Sequence, residues 1–187
     1  MPKLNRLVCM ATLTLVVGQP GFGQEKVNPD AKVLQDFQSR IDTYMKLHNE
    51  LEREAPKLKD KAEPEEIKAH EDALAAKVRA ARPAAKPGEI FTPDVRALFR
   101  RLMYPEMKGK EGAATKAEIK EDAPAAVSLK INAKYPQSEP LPTVPPNLLA
   151  ALPKLPEELE YRIVKRDLIL RDVRANLIVD YIPNAIR

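Results

Sequence analysis

The spacing of apolar residues changes along this chain, and the elements follow from the change. After Asn28-Pro29-Asp30, apolar side chains fall at Leu34, Phe37, Ile41, Tyr44, His48 and Leu51, alternating three and four residues apart. That spacing predicts a helix with one buried seam, capped by Asn28, with Pro29 in its first turn and Pro56 closing it. A second, weaker stripe runs through Ile67, His70 or Glu71, Leu74, Val78 and Ala81. Pro64, Glu65 and Glu66 suit its start, and its Ala and Lys content favours helix. The short linker predicts an antiparallel hairpin. Thr92-Pro93-Asp94 opens a third helix whose apolar side is Val95, Leu98, Phe99, Leu102 and Met103, with Pro105 ending it.

Beyond Pro105 the three-to-four period is lost. Residues 109–126 are charged and Ala-rich, contain Gly109 and Gly112, and read as a flexible connector. Val127, Leu129 and Ile131 alternate with polar residues, as in a strand with one buried face. Seven prolines in the 21 residues from Pro136 to Pro156 exclude a continuous helix and predict a strap, with one or two helical turns over 147–152. The densest apolar stretch, 159–182, predicts three strands at 161–164, 168–173 and 177–182. Asn176 suits the left-handed position of a three-residue loop, which would face Val173 to Leu177, Arg171 to Val179 and Ile169 to Tyr181. Both faces of this meander are mostly apolar, so both need cover. The expected fold class is α+β: an N-terminal helical hairpin plus third helix, a Pro-rich strap and a C-terminal antiparallel β-meander. The expected divisions are 1–23, 24–108, 109–126 and 127–187.

Residues 1–23 have the form of an export signal. Lys3 and Arg6 precede an apolar run over 7–17, and Pro20, Gly21 and Gly23 suit cleavage after Gly23. The run is too short to span a bilayer, which needs ~20 apolar residues. Without Lys3 and Arg6, the 31 basic residues become 29 against 27 acidic, near +2. Nucleic acid is therefore not an expected partner. Cys9 is the one cysteine and leaves with the signal, which excludes disulfides and thiol chemistry from the mature chain.

Candidate chemistry rests on two histidines. In a hairpin, His48 and His70 approach each other from opposite sides of the loop. Glu52 follows His48 by four residues and Glu66 precedes His70 by four, so each pair shares a helical face. His48, Glu52, Glu66 and His70 form a candidate site for a divalent transition metal, although His48 also fits the apolar seam as a packing residue. No nucleophile elbow, Ser-x-x-Lys, His-Glu-x-x-His or phosphate-loop motif is present. Basic residues cluster at Arg96, Arg100 and Arg101, and again at Arg162, Lys165, Arg166, Arg171 and Arg174. They suit an anionic envelope surface, but Asp167, Asp172 and Asp180 interleave with the second cluster and favour a mixed, solvated rim.

Tyr161, Arg162 and Val164, then Asp167, 168–170 and Asp172, then 177–179 and Asp180, resemble the C-terminal β module of small periplasmic bacterial proteins, including the nickel/cobalt-homeostasis type. The whole chain also resembles a group of exported bacterial proteins without an assigned activity. Both resemblances imply a periplasmic address. The sequence is expected to specify a non-catalytic periplasmic binding or interaction protein without a cofactor. Its expected partner is another protein or a second copy, and no transmembrane span is expected after signal removal. The alternatives are a periplasmic divalent-metal-handling protein using His48 and His70, and a hydrolase without local motifs.

Overall fold

The computed structural model describes residues 28–59, 61–124 and 127–186. The expected export signal at 1–23 lies outside them. Helix α1 (Pro29–Arg53) starts where Asn28 accepts the Asp30 N–H at 3.0 Å, and it buries Phe37, Ile41, Tyr44, Met45 and His48. Helix α2 (Pro64–Ala81) returns beside it and buries His70, Leu74, Ala75 and Val78. The stripe on α2 is narrower than its spacing predicts, because Ile67 and Ala81 face solvent. Helix α3 (Pro93–Met103) is capped by Thr92, whose hydroxyl accepts the Val95 N–H at 3.4 Å. Its Val95, Leu98, Phe99 and Met103 are buried.

The expected flexible connector is corrected over most of its length. A 3₁₀ turn (Pro105–Met107) leads into helix α4 (Gly109–Glu121). The Ala, Lys and Glu that suggested a linker are also the best helix formers. What holds this segment is one side: Gly112, Thr115 and Ile119 are buried, and Gly112 lies against the backbone of Met107.

Strands β1 (Leu159–Val164), β2 (Asp167–Asp172) and β3 (Leu177–Ile182) form an antiparallel sheet in that order. Lys165 takes a left-handed φ of 59° in the tight first turn, and Asn176 a φ of 51° at the end of the second. Ile169 faces Tyr181 as expected, but the register shifts between Leu170 and Arg171. Arg171 then faces Ile178 and Asp172 faces Leu177, while Val173 belongs to the turn. The cause is local. The Asp172 carboxylate accepts the Ala175 N–H at 2.8 Å and folds the chain over one residue earlier than a three-residue loop would.

Both faces of the sheet are covered. Leu159, Tyr161, Ile163, Leu168, Leu170, Leu177, Val179 and Ile182 join the core built by α1, α2 and α3. On the other face Val164, Ile169 and Ile178 pack with Tyr135, and Val127, Leu129 and Tyr181 lie against them. Residues 127–131 are not the expected strand. The chain meets β3 a little later, where Asn132 N–H donates to Ile178 O at 2.8 Å and Ile178 N–H donates to Ala133 O at 2.9 Å. That contact closes part of the outer edge of β3.

The Pro-rich stretch is a strap. Thr143 and Val144 line the same groove as residues 159–162, and the chain then forms helix α5 (Pro146–Ala151) against α3. Among the described residues the strap meets β1 in a local turn, where Leu159 N–H donates to Pro156 O at 3.0 Å, and in no ladder hydrogen bond. Proline lacks the N–H a ladder needs, so the strap runs beside β1 without extending the sheet. No helix among the described residues is long and apolar enough to cross a membrane.

Candidate functional site

The helical hairpin brings three of the four candidate ligands together. His48 is fully buried and His70 nearly so. Glu52, one turn beyond His48, reaches between them: its Oε2 lies 3.4 Å from His48 Nε2 and its Oε1 lies 3.6 Å from His70 Nε2. Arg174 Nε stands 3.9 Å from the same Oε1. Glu66 is elsewhere. Its carboxylate accepts the Glu63 N–H at 3.2 Å in a capping box and the Lys59 ammonium at 3.3 Å. Among the described residues no three or more His, Cys, Asp or Glu side chains are already arranged around a metal position.

The second nitrogen of each ring is fixed. His48 Nδ1 donates to Asp172 Oδ2 at 2.7 Å, and His70 Nδ1 donates to the Pro56 carbonyl at 2.7 Å. Tyr44 hydroxyl donates to the same Asp172 oxygen at 2.6 Å. Asp172 thus ties α1 to the β2–β3 turn through two side chains and the Ala175 amide. Burial pulls the His48 imidazole down, but the Asp172 hydrogen bond and charge, with Glu52 and Glu158, outweigh it and raise the group above its ordinary value. Burial and the Asp172 charge hold the Tyr44 phenol well above its usual range, so it remains a donor. An Asp–His pair is hydrolase-like, but this ring is inaccessible and its Nε2 faces a carboxylate where a nucleophile would have to stand.

Two aspartates expected on a solvated rim are fully buried: Asp172 and Asp180. Asp180 accepts N–H groups from Gly88 at 2.9 Å and from Ile90 and Phe91 at 2.8 Å. The signal was in the sequence. An aspartate inside a strand with apolar residues on both faces has no route to water and needs partners. The basic clusters are largely occupied by local acceptors. Arg162 and Arg171 hold Glu160, Arg96 donates to Phe91 O, and Arg166 donates to Ile186 O.

A second feature was not read from the sequence. A groove of about 700 Å³ runs between the strap, α5 and β1. Its walls are Val144, Pro146, Leu149, Leu155, Leu159 and Tyr161, with Lys154 and Arg162 beside them. Leu149 is 50% exposed at its mouth.

The sequence matches no family model, no curated protein, and the fold matches no solved structure.

Proposed function

We propose that this chain is an exported, non-catalytic binding protein that receives apolar side chains of a protein partner in the groove beside β1. The observation that carries this reading is the groove itself. Its volume lies in the ordinary range for binding clefts, its walls are mostly apolar, and Leu149 stands half-exposed at its mouth. Lys154 is exposed at the rim and favours a partner with acidic residues beside its apolar anchor. The basis for export is the Lys3/Arg6 start, the apolar run and the small residues before Gly23. Mass measurement of the purified chain distinguishes a second copy from a different partner.

Photo-crosslinking from position 149 in cells making the full chain tests the reading. A discrete adduct formed from 149, absent from exposed Lys57 on the opposite hairpin end and lost in Leu155→Asp, supports it. Equal labelling from 149 and 57, or labelling insensitive to Leu155→Asp, overturns it.

A further inference from the structure

The Pro56 carbonyl can only accept a hydrogen bond, so His70 Nδ1 carries a hydrogen. Asp172 Oδ2 already receives the Tyr44 hydroxyl, and His48 Nδ1 donates to the same oxygen. In each neutral ring the remaining nitrogen, Nε2, is then a bare lone pair. Both Nε2 atoms are buried and neither has a hydrogen-bond partner. What they face is a third acceptor, the Glu52 carboxylate, at 3.4 and 3.6 Å. Three acceptors meet with no donor hydrogen bond among them, an arrangement that calls for positive charge.

We propose that His48 Nε2, His70 Nε2 and the Glu52 carboxylate close around a divalent transition-metal cation. Two imidazoles and one carboxylate suit zinc, nickel, cobalt or copper, and they are a poor set for calcium or magnesium, which prefer oxygen ligands. The outer partners fit as well. Metal-bound imidazoles donate their other N–H to a carboxylate or a backbone carbonyl, and Asp172 and Pro56 O stand in those roles here. The three groups are not already spaced as a closed set. The cation therefore draws them together, and the moving part is Glu52, whose side chain is 28% exposed. Arg174, 3.9 Å from Glu52, gives way as the cation takes over its charge. This site is separate from the groove, and neither proposal depends on the other.

The test uses the full chain, purified without a histidine tag and stripped with chelator. Zn²⁺, Ni²⁺ and Ca²⁺ are titrated separately by calorimetry, and melting is followed with each. The expected result is one equivalent of Zn²⁺ or Ni²⁺ bound, a raised Tm and no such response to Ca²⁺. His70→Gln and Glu52→Gln are each expected to weaken binding at least tenfold. Glu52→Gln keeps the side-chain size at a partly exposed position, so it remains informative even where a histidine variant folds poorly. No binding of Zn²⁺ or Ni²⁺, or binding unchanged in Glu52→Gln, overturns the proposal.

Discussion

Asp180 Oδ2 accepts the Phe91 N–H at 2.8 Å across 89 residues of sequence, and the same oxygen accepts the Ile90 N–H at 2.8 Å. One carboxylate on the central part of β3 thus stands in for the missing hydrogen-bond partners of the turn that leads into α3. Gly88 fits this turn because its φ is +99° and an added Cβ would come within 2.8 Å of Arg96 Nη2. Replacing Asp180 by Ala leaves buried amides without acceptors. A loss of about 2–4 kcal/mol is expected from denaturant unfolding. The amides of Gly88, Ile90 and Phe91 should lose hydrogen-exchange protection ahead of the rest of the core. Asp180→Asn is expected to recover little, because its amide group turns a donor toward donors.

Glu160 supplies a pH dependence. Burial pushes its carboxyl up, but hydrogen bonds from Arg162 and Arg171 outweigh that and hold it below the ordinary value. A carboxylate lowered in the folded state adds stability above its unfolded pKa, ~4.3, and loses that contribution as pH falls through the folded value. Glu160→Gln should therefore cost about 1–2 kcal/mol at neutral pH and nearly nothing in strong acid. Parallel unfolding curves at pH 7 and below pH 3 check this. An equal cost at both ends would place the effect in packing.

Helices α1 to α3, strands β1 to β3 and the α+β class were legible because each is written locally. Caps at Asn28 and Thr92, prolines at first turns and the β-branched run at 177–182 need no knowledge of the rest of the chain. Of the candidate site, the hairpin placed His48, Glu52 and His70 together by spacing alone. The partners that fix the rings were not legible: Asp172 reaches His48 across 124 residues, and Pro56 contributes a backbone oxygen that no side-chain pattern reveals. Glu66 had the right spacing too, but a carboxylate in the first turn of a helix is drawn to the free N–H groups there. Helix α4 was missed because its composition is equally that of a charged linker. Its burial against Met107 is a tertiary fact.

The aromatic cluster sets the expected cost of a core lesion. Phe99 meets Phe37 at 5.0 Å, Phe91 at 5.4 Å and Tyr161 at 6.0 Å between ring centroids, joining α3 to α1, to the 88–91 turn and to β1. Phe99→Ala is expected to cost about 3–5 kcal/mol, measured by chemical unfolding. Leu149→Ala, at the half-exposed mouth of the groove, is expected to cost under ~1 kcal/mol. The contrast separates the residue that holds the fold from the one offered to a partner.

Gly112 gives the sharpest test of the corrected segment, because two readings predict opposite signs. In a solvated connector or an isolated helix, Gly112→Ala would favour helix and stabilise by ~1 kcal/mol. In the fold, a Cβ at this position would run into the Met107 carbonyl carbon and stand 2.5 Å from its oxygen. Those atoms are backbone and cannot rotate away, so α4 must separate from the 3₁₀ turn. That separation would expose Met107 and Ile119, both buried in the core. Gly112→Ala should therefore destabilise the protein by about 1–3 kcal/mol. Gly109→Ala, where no atom lies within 4 Å but φ is +67°, should cost about 1 kcal/mol through backbone strain alone. Unfolding midpoints of the two variants, beside amide exchange across α4, check the pair. A stabilised Gly112→Ala would mean that α4 does not pack on the turn.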